Sequence, residues 1–242
     1  DAKQVLTKLV AEYRALEPDP SRLEEWWQRI DAWRERHPLR YEDSADREIK
    51  PQFMIEALYE ATGGDAIITS DVGQHQMWAA QYYHFKRPRQ WINSGGLGTM
   101  GFGLPAAIGA QVGRPDETVV CISGDGSFQM NVQELATCAN EGIPVKVFIM
   151  NNGYLGMVRQ WQELFWDRRY SHVDMGGYPD FVKLAEAYGC TGLRFEDKTT
   201  LVDDMKAALA TEGPVIVDVR VTQEENVFPM IAPGAPARDM VG

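Results

Sequence analysis

Cysteine is scarce in this chain. The three residues, Cys121, Cys138 and Cys190, are odd in number and show no CxxC spacing, so neither a disulfide framework nor a zinc site is indicated and a reducing compartment fits best. No run approaches the roughly 18 consecutive apolar residues of a membrane span. Positive charge is in deficit: 24 Lys and Arg stand against 35 Asp and Glu, a formal net charge of -11. With no basic patch segregated along the chain, a phosphodiester backbone is a poor partner. The P-loop pattern GxxxxGK[ST] is absent, as are internal repeats and low-complexity segments. The chain opens on Asp1 with no initiator Met, signal peptide or transit sequence, the opening expected of a piece of a longer protein.

What is present is a globular composition. The 242 residues are 44% hydrophobic and 24% charged, enough to bury a real core and to form one large domain or one and a half of ordinary size. The first fifty residues differ from the rest. Val5, Leu6, Leu9, Val10, Tyr13 and Leu16 recur at helical spacing until Pro18-Asp19-Pro20 breaks the run. A second helix is expected with Ser21 as cap and Glu24 three residues on as a capping box, its apolar stripe made by Trp26, Trp27, Ile30 and Trp33 up to Pro38. Tyr41 to Glu48 reads as a linker, so residues 1–48 are separated from a domain of residues 49–242.

From Ile49 onward β-rich runs alternate with helical segments. Strands are expected at Ala66–Ser70, Trp91–Asn93, Thr118–Ser123, Val145–Met150, Cys190–Arg194 and Val215–Val221. Several are continuous apolar runs, as strands buried on both faces require, and the spacers are long enough for crossover helices. This predicts a doubly wound parallel α/β domain, in which ligands bind beyond the carboxyl ends of the strands.

Gly96-Leu97-Gly98-Thr99-Met100-Gly101 matches GxGxxG, but the dinucleotide reading fails its context. The acid that would hold the ribose must end the second strand, whereas Asp116 and Glu117 precede the strand starting at Thr118. A glycine-rich turn and helix start packed against another backbone is expected instead. The stronger signal is Gly124-Asp125-Gly126 at the end of one strand and Asn151-Asn152 at the end of the next, about two dozen residues later. A crossover of that size can set the two strand ends side by side. Asp125, the amide oxygen of Asn152 and a backbone carbonyl near Tyr154 then come within reach of one hard cation, for which Mg²⁺ with phosphate oxygens is suited. The flanking glycines let the backbone approach a phosphate, and the helix expected at about Val132 to Glu141 completes the crossover.

GDG followed by NN at this spacing resembles the thiamin diphosphate enzymes. The sequence is most similar to the acetolactate synthase (acetohydroxyacid synthase) large-subunit family, over Ser70 to Trp78, Ser94 to Gln111, Gly124 to Leu135 and Asn151 to His172. The resemblance implies that Asp125, Asn152 and the main-chain oxygen of Tyr154 bind Mg²⁺. It implies that Val72, Gly73, Gln74, His75, Gly124, Gly126, Ser127 and Gly156 hold the cofactor, and that Gly98 approaches its pyrimidine ring. Met100 would be the apolar wedge that bends the cofactor, a task suited to a large adaptable side chain. Met157, Val158 and Trp161 share a helix face by spacing; periodicity favours a core role, while the resemblance places them along the substrate channel, with Trp161 favouring 2-oxobutanoate.

The implied reaction decarboxylates pyruvate and joins the two-carbon unit to a second 2-oxo acid, pyruvate or 2-oxobutanoate, in branched-chain amino acid biosynthesis. The family's catalytic glutamate lies on a pyrimidine-binding domain to which no part of this chain is similar, so the chain alone is expected to be inactive. FAD as a second cofactor, a dimer or tetramer of the longer enzyme and a regulatory small subunit are also implied. So is a cytoplasmic location in a bacterium, or a plastid or mitochondrion in a eukaryote. Phe228 to Pro236 resembles the family's tail that closes over the channel.

Overall fold

The computed structural model of the chain describes residues 1–43, 46–177 and 179–242. They fall into two units, Asp1–Tyr41 and Glu42–Gly242. Ser44 and Ala45 of the expected linker lie outside the described residues. Its neighbours Asp43 and Arg47 pair with Lys198 at 2.8 Å and with Asp197 at 2.9 Å, contacts internal to the second unit.

In the first unit, helix α1 (Ala2–Ala15) is capped by the Asp1 carboxylate, which accepts from Gln4 N at 3.1 Å. A 3-10 turn (Pro20–Leu23) leads into α2 (Glu24–Arg36). The expected capping box is not formed. Asp19 accepts from Ser21 N at 2.9 Å and Pro20 takes the first helical position, so the turn is started two residues early and α2 has no side-chain cap. Trp26 and Trp33 meet edge to face at 5.7 Å with the Arg29 guanidinium over both rings, and both tryptophans are exposed.

The second unit alternates helix and strand: α3 (Pro51–Thr62), β1 (Ile67–Ser70), α4 (Gln74–Tyr82), β2 (Trp91–Asn93), α5 (Gly103–Gly113) and β3 (Val119–Gly124). It continues with α6 (Asp125–Phe128), α7 (Leu135–Glu141), β4 (Lys146–Asn151), α8 (Gly156–Phe165), α9 (Phe181–Ala187), β5 (Thr191–Phe195), α10 (Leu201–Ala210) and β6 (Val215–Arg220). All six strands are parallel, in the order β2-β1-β3-β4-β6-β5. Every residue of β3 and β4 is buried, which is why their sequences VVCISG and KVFIMN carry almost no alternation. Ile67, Val119, Val147 and Ile149 join Leu104, Phe128 and Phe181 in one core cluster. Among the described residues no helix is long and apolar enough to cross a membrane.

The single helix expected from Val132 to Glu141 is instead a 3-10 stretch (Gln129–Glu134) followed by α7. Asn131 interrupts the helix at φ -134°, because its side-chain amide donates to the Gly101 carbonyl at 2.6 Å. The chain moves from β1 outward to β2 and then back past β1 to β3, so strand order reverses between β1 and β3. That reversal opens a crevice beyond the carboxyl ends of the strands, the usual place for a ligand in such sheets.

Candidate functional site at the carboxyl edge of the sheet

Three strand ends converge on one cleft. Val72, Gly73, Gln74 and His75 arrive after β1, Gly124 to Ser127 after β3, and Asn152, Tyr154, Gly156, Met157 and Val158 after β4; Met100 reaches in from the loop before α5. The structure therefore brings together most of the residues singled out in the sequence. Gly98 and Trp161 are outside the lining, although Gly98 sits beside Val72, and Trp78, Met150 and Leu155 line the cleft without having been expected there.

Asp125 is buried, and its direct partners are two backbone N–H groups. Gly126 N donates to Oδ1 at 2.8 Å and Gly153 N to Oδ2 at 2.7 Å. Burial lifts the carboxyl to about 7 in spite of those bonds, with Asp218 pushing in the same direction and Arg220 against it. Asp218 is itself fully buried within β6, where Asn151 Nδ2 at 2.8 Å and Arg194 Nε at 3.1 Å donate to its oxygens and Arg220 Nη2 forms an ion pair with it at 3.1 Å. Asn152 follows directly; its Oδ1 accepts from Tyr154 N at 3.1 Å and its Nδ2 donates to Gln74 Oε1 at 3.4 Å.

His75 is packed between two glycines. A Cβ at Gly124 would lie 2.8 Å from His75 Nδ1 and one at Gly73 2.9 Å from Cε1, so side chains at either position would displace the ring. Burial pushes this imidazole down to about 3, opposed by a hydrogen bond with the Asp71 backbone, and Nε2 has no protein partner. Asp71, which the sequence reading missed, clamps the edge of the site. Its Oδ1 accepts from Val72 N at 2.9 Å and Gly101 N at 2.7 Å, and its Oδ2 from Ser123 Oγ at 3.1 Å. Thus the GxGxxG loop is fixed by a buried carboxylate one strand away. Its continuation packs as expected of a glycine-rich helix start: a Cβ at Gly103 would come 2.9 Å from Asp71 N.

Chemically, the cleft offers the Asp125 carboxylate, the side-chain amides of Gln74 and Asn152, and main-chain carbonyl and N–H groups. Among the described residues no group of three His, Cys, Asp or Glu side chains is placed to hold a metal ion, so a soft-metal site built from side chains is not formed. An all-oxygen set with few protein ligands fits a hard divalent cation whose remaining positions go to phosphate and water. The glycines fit an anion held by backbone: a Cβ at Gly126 would meet Leu155 Cδ2 at 2.7 Å, and Ser127 Oγ is tied to the Val72 carbonyl at 2.8 Å.

The face shared by Met157, Val158 and Trp161 is not core. Val158 is 46% and Trp161 42% exposed, and Phe165 and Trp166 extend the apolar surface. The buried side chains of α8 are Arg159 and Gln160. No apolar period marks them, because apart from Glu163 on the same helix their polar partners are distant in sequence: Gln74, and residues between Glu224 and Met230.

Comparison with known proteins agrees with this geometry. Residues 71–219 match the family described as thiamine pyrophosphate enzyme, C-terminal TPP binding domain. The chain is 49% identical over 97% of its length to an acetolactate synthase of Mycobacterium leprae, covering 39% of that protein. It is 49% identical over 99% of its length to the acetolactate synthase isozyme 3 large subunit of Escherichia coli, covering 42% of it. It is also similar in structure to a thiamine diphosphate-dependent 4-hydroxybenzoylformate decarboxylase of Rhodococcus jostii, with a TM-score of 0.70 and 28% identity over 78% of this chain and 36% of that one. The chain thus spans about two fifths of the acetolactate synthases it matches. With its site at the switch point of a parallel sheet and more than half its length matched, the chain belongs to the family of thiamine pyrophosphate enzyme C-terminal TPP-binding domains.

Proposed function

We propose that the chain holds thiamin diphosphate and Mg²⁺ in this cleft as the cofactor-binding part of an acetolactate synthase. The observation that carries the reading is the convergence of Asp125, Asn152 and Tyr154 beside a glycine-lined backbone at the β1/β3 reversal. Asp125, Asn152 Oδ1 and the Tyr154 carbonyl would hold the cation. The N–H groups of residues 72–75 and 124–127, with Gln74 and His75, would hold the diphosphate. Gly156, where a Cβ would collide with Gln74 Oε1, keeps the start of α8 close to them. Met100, half-buried at the cleft wall, supplies the apolar wedge, and Gly98 leaves room beside Val72.

When bound, thiamin diphosphate supplies the electron sink for loss of carbon dioxide from a 2-oxo acid. The residues of this chain bind and orient it. Met157, Val158 and Trp161 would shape the entry for pyruvate and the second 2-oxo acid, pyruvate or 2-oxobutanoate. Among the described residues Asp125 is the one carboxylate in the cleft lining, and no glutamate is there to act on a pyrimidine ring. The chain alone is therefore expected to form no acetolactate. FAD, a homodimer or tetramer, a regulatory small subunit and a cytoplasmic setting belong to the longer enzyme in this reading, and none is assigned to residues here.

The test is product formation. In the longer enzyme that carries this sequence, pyruvate should give acetolactate, and Trp161→Leu should lower the preference for 2-oxobutanoate over pyruvate about tenfold, the range open to an altered apolar pocket. A preference unchanged by Trp161→Leu would favour another thiamin-dependent carboligase or decarboxylase.

A further inference from the structure

Gln160 is fully buried one residue before the exposed Trp161, and every polar valence of its side chain is used. Nε2 donates to the Val227 carbonyl at 2.9 Å and to Met230 Sδ at 3.1 Å; Oε1 accepts from Val227 N at 2.8 Å and from Gln74 Nε2 at 2.9 Å. Gripping both the N–H and the C=O of one residue fixes the sense of the amide, since turning it over would set donor against donor and acceptor against acceptor.

That sense is passed on. Gln74 Nε2 gives its other hydrogen to the Glu225 carbonyl at 3.0 Å, so both are committed and Oε1 must face away from the C-terminal segment. There it accepts from Asn152 Nδ2 at 3.4 Å, against Gly156, where a Cβ would stand only 1.9 Å from the same oxygen. With Nδ2 turned to Gln74, Asn152 presents Oδ1 on its other side, where Tyr154 N donates to it at 3.1 Å. Glu225 is anchored in turn by Lys50 at 2.7 Å and Gln52 at 3.2 Å.

We propose that Gln160 is a positioning residue, the centre of an amide relay Val227–Gln160–Gln74–Asn152 by which the seating of the C-terminal segment sets which atom of Asn152 faces the cation. The proposal rests on the reading of Asn152 as a cation ligand. It assigns a role to the buried amides of Gln74 and Gln160 that cleft lining alone does not explain, and it makes the segment around Val227 a determinant of cation affinity without touching the cation.

The relay is tested by NMR on the ¹⁵N-labelled 242-residue chain, together with titration of Mg²⁺ in the presence of thiamin diphosphate. In the wild type, the side-chain amide protons of Gln74 and Gln160 should exchange slowly with solvent; rapid exchange of both would overturn the relay without any variant. Gln160→Met, similar in volume but without an amide, should speed exchange at the Gln74 side chain at least tenfold. It should also shift the Asn152 side-chain resonances and weaken Mg²⁺ affinity about tenfold. Gln74→Met combined with Gln160→Met should be no weaker than Gln74→Met alone, as expected of groups on one path. A folded Gln160→Met chain with unaltered Asn152 resonances and Mg²⁺ midpoint, whatever its melting temperature, would show Gln160 to be a packing residue only. If Mg²⁺ leaves the wild-type Asn152 amide unperturbed while Gln160→Met still shifts it, the relay stands and the cation reading falls. Should Gln160→Met not fold, Gln160→Glu keeps both acceptor contacts, from Gln74 Nε2 and Val227 N, and loses only the donor ones; it should leave the Gln74 side chain and the Val227 N–H protected, and loss of Gln74 protection there would contradict the proposal.

Discussion

Protonating His75 in the folded chain would put a positive charge on a buried ring packed between Gly73 and Gly124, where desolvation disfavours it. Its imidazole is held down near 3, against about 6.5 in an unfolded chain, so below pH 6.5 the unfolded state binds the proton and the native state does not. The contribution is fully present above pH 6.5 and is lost as pH falls toward 3, at a slope of about 1.4 kcal/mol per pH unit. Urea unfolding should therefore show a stability loss of about 2 kcal/mol between pH 7 and pH 5 that is much reduced in His75→Gln; equal losses in the two proteins would refute the assignment. The thiols behave in the opposite sense. Cys121, Cys138 and Cys190 are all buried and free; burial raises all three, Cys138 to about 12, and thiolates are correspondingly disfavoured. A thiol reagent should label none of them until the chain is denatured.

At the scale of elements, two of the three glycines of α5 carry opposite expectations. At Gly103 an added Cβ would come 2.9 Å from Asp71 N and 3.0 Å from Cys121 Sγ, so Gly103→Ala must push the helix off the sheet and should cost about 2 kcal/mol. At Gly109 nothing lies within 4 Å, and Gly109→Ala should stabilise by about 0.5–1 kcal/mol through helix propensity. Denaturant midpoints of the pair measure both, and equal signs would contradict the close approach. The six strands and their parallel pairing were legible in the sequence because buried parallel strands are contiguous apolar runs; each observed end lies within one residue of the expected one. Turn chemistry was less so. The Asp19-Pro20 start rests on a local side-chain bond to Ser21 N, and the break at Asn131 on a bond to the Gly101 carbonyl 30 residues away; each competes with a plausible helix.

For the whole molecule, the site was readable where it is built from short contiguous motifs at strand ends, and unreadable where it depends on distant partners. Gly124-Asp125-Gly126 and Asn151-Asn152 point to a cation on their own. Asp71, which holds a loop 30 residues away, and Gln160, whose partners lie 86 residues back and 67 to 70 residues on, look like ordinary polar positions until the chain is folded. Trp161 illustrates the reverse: its helical spacing with Met157 suggests core, yet it is left at the surface beside the cleft rim. In the proposed function, a protein of net charge -11 would hold an anionic diphosphate through a cation and backbone dipoles rather than a basic surface. Calorimetry tests that claim most directly. Thiamin diphosphate added to the 242-residue chain should give a binding isotherm with Mg²⁺ present and none with a chelator, and Asp125→Asn should lose it by at least about a hundredfold, roughly 2.7 kcal/mol. Binding that persists in Asp125→Asn, or no heat from the wild type with Mg²⁺, would contradict the account.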